Sequence, residues 1–138
     1  MTKDVIISVE GKQIVDGEED VNETIAQGTY YNRGGKHYII YDTYDDDSKI
    51  ENMIKFNEDI VEVSRKGEIT GKLIYEAGKK KRSLYTTPVG DMLMELDTHD
   101  INIDCRDEKI EAQIFFEIFV EGDKVSDNEV KIIVKEKK

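Results

Sequence analysis

Apolar residues recur at every second position along this chain, in short runs broken by turn-forming residues about every ten residues. Val5, Ile7 and Val9 alternate with polar partners. Ile50, Asn52, Ile54 and Phe56 share one face, and Val61 and Val63 another. The pattern continues through Met92, Met94, Leu96 and Thr98, then Ile114, Phe116, Ile118 and Val120, then Val130, Ile132 and Val134. A period of two sets one face of a strand on a core and the other in water. A helix needs apolar residues three and four apart, a signal nearly absent here. Turn chemistry stands between the runs at Asn32-Arg33-Gly34-Gly35, Asn57-Glu58-Asp59, Arg65-Lys66-Gly67, Ala77-Gly78-Lys79, Pro88-Val89-Gly90, Asp107-Glu108 and Glu121-Gly122-Asp123. The charged clusters Asp45 to Asp47 and Lys79 to Arg82 also fall at predicted turns. Short strands and tight turns predict an all-β antiparallel meander, closed as a barrel or folded as a sandwich. No change of composition marks a linker, so residues 1–138 read as a single domain.

The chain has 1 proline, Pro88. Proline lacks a ladder N–H and fixes φ near −65°, while Gly90 permits positive φ. Pro88-Val89-Gly90 therefore predicts a corner between a strand over Arg82 to Thr87 and another over Asp91 to Thr98, with Met92, Met94 and Leu96 facing inward. Some strands are apolar on both faces: Phe115 and Phe119 oppose Phe116 and Ile118, and Tyr38 with Ile40 opposes Ile39 with Tyr41. Such strands call for cover by a neighbouring loop or by a second subunit in a homodimer.

Several elements resemble the YwiB-like family of uncharacterised bacterial proteins: Gly28-Thr29-Tyr30-Tyr31, Tyr38-Ile39 with Tyr41, Ser64-Arg65 with Gly67, Tyr85 with Thr87-Pro88 and Gly90, and Thr98 ahead of a closing hairpin. They run across most of the chain in the family's order. The resemblance implies a lipocalin-like (calycin) barrel, for which the strand spacing suggests roughly eight to ten strands. Where the family suggests an acidic pair after Tyr41, this chain reads Asp42-Thr43-Tyr44. The resemblance brings no activity, because fold alone does not supply function.

Charge narrows the partners. Lys and Arg number 20 and Asp and Glu 31, a formal net charge of −11. That field repels nucleic-acid phosphates and anionic membrane surfaces. No apolar run reaches membrane-spanning length, and the start lacks the pattern of a signal peptide, so the expected compartment is the cytoplasm. The single cysteine, Cys105, fits that compartment.

Chemistry-bearing motifs are sparse. His37, His99 and Cys105 are too few and too scattered for a zinc site. The acidic run from Asp42 to Ser48 lacks the glycine and glutamate of a calcium loop, so no metal is expected. No nucleophile motif accompanies Cys105 or a serine, so no catalytic residue and no cofactor are assigned. The basic run Lys79 to Arg82 reads as a solvated tip.

Arg65 is the exception. It shares strand parity with Val61 and Val63, so it should point inward if they do. An inward guanidinium needs a carboxylate or dense hydrogen bonding. It can reach the rim, pair with an internal acid such as Glu117 if Phe115 and Phe119 face inward, or receive a ligand carboxylate. Tyr85 and Thr87 share a face, and the resemblance puts Tyr41 on a neighbouring wall. Their hydroxyls can orient a ligand or satisfy one another and the corner backbone. Met53, Met92 and Met94 would line or fill the interior.

The leading expectation is a non-enzymatic barrel binding a small amphipathic or apolar molecule through Arg65, Tyr85, Thr87, Tyr41, Met92 and Met94. The alternative is a filled barrel serving as a structural or protein-interaction module, as a homodimer.

Overall fold

Each alternating run pairs antiparallel with the next, and the last returns to the first. The computed structural model describes residues 2–45, 47–106 and 108–137. Its strands are β1 (Thr2–Val15), β2 (Glu18–Arg33), β3 (Lys36–Asp45), β4 (Ser48–Phe56), β5 (Ile60–Lys66), β6 (Thr70–Glu76), β7 (Lys79–Thr87), β8 (Gly90–Cys105), β9 (Lys109–Val120) and β10 (Asp123–Glu136). These ten strands form a closed barrel, sealed where β1 pairs with β10 from Val5–Glu136 to Ile14–Asp127. The described residues contain no helix, and thus none that could cross a membrane. The antiparallel barrel and its strand number are as expected.

The interior is built in register rows. One runs Ile39, Ile54, Val63, Leu73 and the next His37, Phe56, Val61, Tyr75. Opposite them stand Ile7, Leu96, Ile114, Phe116 and Ile132. Full burial of an Ile or Leu side chain contributes about 1.5–3 kcal/mol, so these rows carry most of the fold's stability. Tyr75 meets Phe116 edge to face with centroids 4.7 Å apart, which ties β6 to the far wall.

Several expectations need correction. Lys79 to Arg82 is not a turn but the start of β7. Lys79 and Lys81 pair with Glu76, at 2.9 and 3.2 Å, and Lys80 lies over the Phe119 ring. His99 is the extra residue of a bulge in β8, between the pairs Thr98–Phe116 and Asp100–Phe115. The Asp16-Gly17 reversal between β1 and β2 is a further turn, with both φ values positive at 49° and 80°. Asp46 and Asp107, each part of an expected turn, lie outside the described residues.

β6 and β7 pair only at Thr70–Thr86 and Gly71–Tyr85. Their hairpin tip is held elsewhere, by Gly78 N–H on the Thr98 carbonyl (2.8 Å) and Ala77 N–H on the Asp59 carbonyl (3.2 Å). β8 runs on past this tip to Cys105.

Candidate functional site

One register row differs from the apolar rows. Gly28 pairs with Tyr41, Tyr41 with Asn52, Asn52 with Arg65, Arg65 with Gly71, Gly71 with Tyr85, and Tyr85 with Met92. Residues matched this way point to the same side of the sheet. Arg65 shares β5 with the buried Val61 and Val63, so the row faces inward. Both glycines stand beside tyrosines for a steric reason. A Cβ on Gly71 would lie 2.1 Å from Tyr85 Cδ1 and 2.7 Å from the Leu84 carbonyl. On Gly28 it would lie 2.6 Å from the Ile40 carbonyl. The Tyr85 ring thus covers the bare Gly71 backbone. With no side chain between them, the Arg65 guanidinium reaches the Tyr85 ring, 5.9 Å from its centroid.

Three phenols surround this charge. Tyr41, Tyr75 and Tyr85 are 6%, 4% and 8% exposed. Burial pushes each phenol above the usual tyrosine value, and the positive Arg65 opposes that rise in all three. All three therefore stay neutral at physiological pH and supply Arg65 with no anion. No ion pair of the described residues includes Arg65. Its Nε is buried without a hydrogen-bond partner, as are Tyr85 Oη, Ser83 Oγ and Thr98 Oγ1. Each such group costs about 1–3 kcal/mol when left unmatched. Asn52 is differently employed: its Nδ2 donates to the Tyr41 and Ile50 carbonyls and to Thr43 Oγ1, fastening β4 to β3.

The row gathers Tyr41, Arg65, Tyr85 and Met92 from the sequence-predicted set. Met92 sits at the rim, where it lines a groove of about 560 Å³ with Leu93, Arg82 and Phe119. Met94 is half-buried opposite Ser83. Thr87 belongs to the corner instead: its Oγ1 donates to the Gly90 carbonyl (2.8 Å) and accepts from Val89 N–H (3.3 Å). Met53 does not face the interior, since it pairs with Ile40 and Ser64 on the outer side. Glu117 does not meet Arg65. Ile114 and Phe116 take the inward face of β9, and Glu117 pairs outside with His99 and Lys124. Ser83 and Tyr75 went unread in the sequence, although Ser83 shares parity with Tyr85 and Tyr75 with Leu73.

Arg65 and Asn52 also border an outer cleft of about 480 Å³, with Ile40, Asp42, Lys49, Glu51, Met53, Ser64 and Lys66. Arg65 therefore joins the interior phenols to a surface opening partly floored by Ile40 and Met53. A larger cleft, about 670 Å³, lies at the other end of the barrel against His37, Phe56 and the end of β8. There Tyr30 Oη and His37 Nδ1 share a 2.7 Å hydrogen bond, and burial holds His37 below the usual histidine value. Among the described residues no three of His, Cys, Asp and Glu converge as metal ligands. Burial, then Asp104, raises the Cys105 thiol, the reverse of nucleophile activation.

Residues 7–132 match the family model described as a domain of unknown function, DUF1934. The chain belongs to this family. A relative, the uncharacterized beta-barrel protein YwiB of Bacillus subtilis (strain 168), is 26% identical over 122 residues, covering 87% of this chain and 86% of its own. The crystal structure of the ywiB protein from Bacillus subtilis superposes with a TM-score of 0.89 at 22% identity, covering 99% of this chain and 94% of that one. The family is thus the one its motifs suggested, and the barrel is the family's fold.

Proposed function

We propose that this barrel is a non-enzymatic binding protein that holds the anionic end of a small amphipathic molecule at Arg65. The observation that carries the reading is a guanidinium with a buried, unpartnered Nε that forms no ion pair among the described residues. An anion accepted by Arg65 Nε and Tyr85 Oη would satisfy both at once, and charge-assisted bonds of this kind are the strong ones. The apolar remainder would lie outward over Ile40 and Met53, where the cleft is open. The densely packed rows behind Arg65 favour a compact head group over a buried chain.

The test is the Arg65 Nε–H resonance in a ¹⁵N-labelled sample titrated with benzoate, octanoate or inorganic phosphate. A saturable shift of that resonance, with accompanying shifts of neighbouring backbone amides that are lost in Arg65→Met, supports the reading. An unmoved resonance with all three anions refutes it.

A second reading, a structural or interaction barrel that self-associates, draws on an exposed apolar patch at the β7–β8 corner. Leu84 pairs across strands with Leu93 on the outer face, and Val89 at the tip is 97% exposed. Sedimentation velocity across the micromolar range tests it: a dimer dispersed by Leu84→Asp with Leu93→Asp favours it, and a strict monomer counts against it.

A further inference from the structure

Among the described residues, β2 and β8 each run on past a neighbouring strand, and the two free edges are treated differently. β2 pairs with β3 only from Gly28 onward, so Glu18 to Gln27 borders no second strand on that side. That edge carries Glu18, Glu19, Asp20 and Glu23, the charged defence expected of an exposed edge. β8 pairs with β7 only as far as Lys79–Thr98, whereas its pairing with β9 continues to Cys105–Ile110. Beyond Thr98 its second edge has no partner strand among the described residues, and it lies within the 670 Å³ cleft.

Hydrogen-bond alternation identifies the unpaired groups. Arg106 N–H donates to the Lys109 carbonyl (2.8 Å), so even-numbered residues here turn their backbone toward β9. Ile101, Ile103 and Cys105 then direct N–H and C=O into the cleft, three donors and three acceptors in strand geometry. Ile101 and Ile103 also pack on the core, and across from them stand His37 and Phe56, stacked at 4.7 Å. Asn102 and Asp104 point the other way. The cleft's charged residues are Glu58, Asp104 and Glu111 against Lys131, an acidic balance in a chain of net charge −11.

We propose that the β8 edge from Ile101 to Cys105 receives an extended peptide as an added antiparallel strand. The edge spans about five residues, roughly 16 Å at ~3.3 Å per residue. Peptide residues opposite Ile101, Ile103 and Cys105 exchange backbone bonds and turn their side chains inward onto Phe56, Ile101 and Ile103, so they must be apolar. The intervening residues turn outward beside Asn102 and Asp104, so lysine or arginine is favoured there. The partner is therefore a segment alternating apolar and basic residues. A second copy docking its own β2 edge would set Glu18, Glu19, Asp20 and Glu23 against an acidic cleft.

The probe is a capped Val-Lys-Val-Lys-Val peptide, read by hydrogen exchange resolved to single amides. With peptide at about ten times its Kd, exchange at Ile101, Ile103 and Cys105 should slow about tenfold, while Asn102 and Asp104, already bonded to β9, change little. Methylating the peptide's apolar-position nitrogens should abolish the effect, and Asp104→Lys should weaken it without touching the core. Ile103→Pro is a further check, since it removes an edge donor that the β9 ladder does not use. Three outcomes overturn the proposal: no protection at these amides, equal protection by the methylated peptide or by Val-Glu-Val-Glu-Val, or protection that rises with protein concentration alone, which would assign the edge to a second copy.

Discussion

Arg65 keeps a cation where an apolar side chain would pack against neutral tyrosines. Arg65→Met preserves much of the volume and removes both the charge and the unmatched Nε. Such replacements are neutral or stabilising, and with Arg65 partly exposed the expected gain is about 1 kcal/mol, read as a higher urea midpoint at unchanged m. A lower midpoint would mean that Arg65 supports the fold and is not held in readiness for an anion. Gly71 makes the opposite prediction. Gly71→Ala forces a Cβ into the Tyr85 ring and the Leu84 carbonyl, so it should cost about 2–4 kcal/mol. The loss should shrink when Tyr85 is also truncated, because the two share one space. Stability equal to the parent would show that the ring does not lie across Gly71. Parity with Val61 and Val63 was enough to read Arg65 as inward. The pairing with Glu117, one of three readings and conditional on Phe115 and Phe119 facing inward, could not be decided from sequence because Phe115 and Phe116 make either face of β9 plausible; packing of Phe116 on Tyr75 decides it.

Strands with a buried face were legible as elements, and those without one were not. β2 escapes the alternation because most of its residues are exposed. It is a strand because β1 pairs with it from Thr2–Tyr31 to Val15–Glu18. β8 misleads differently. Strict alternation after Met92, Met94, Leu96 and Thr98 would put Asp100 inside and Ile101 and Ile103 outside. The bulge at His99 spends one residue without crossing the sheet, so His99 and Asp100 both remain outside and Ile101 returns to the core. Two single-residue deletions separate these possibilities. Removing His99 restores a regular strand with every face preserved, so the barrel should persist with a modest loss that includes the Glu117 contact. Removing Asn102 turns Ile103 outward and should cost about 2 kcal/mol more. Paired thermal melts read the difference, and equal losses would place the bulge elsewhere.

For the whole barrel, the buried phenols make stability depend on alkaline pH. The usual tyrosine value is 10.0, and Tyr41, Tyr75 and Tyr85 all lie above it in the folded state. Below that value both states are protonated and the phenols' contribution is fully present. As pH rises past it, the unfolded chain releases protons that the folded chain retains, so stability falls until the folded phenols also ionise. Each retained proton contributes a slope of about 1.4 kcal/mol per pH unit, so three give at most about 4 kcal/mol per unit. Urea unfolding should show stability falling ever more steeply between about pH 9 and 11, reaching about half that limit at pH 10, and Tyr75→Phe should lower the slope by about a third. A slope unchanged by that substitution would mean that Tyr75 ionises as readily folded as unfolded, which its full burial opposes. The same chemistry bears on binding. With the phenols neutral across the physiological range, Arg65 is the only charge in its row, and the cleft carboxylates Asp42 and Glu51 are paired with Lys49 instead. Anion affinity should therefore hold steady from neutral pH until the phenols titrate and then collapse together with the barrel.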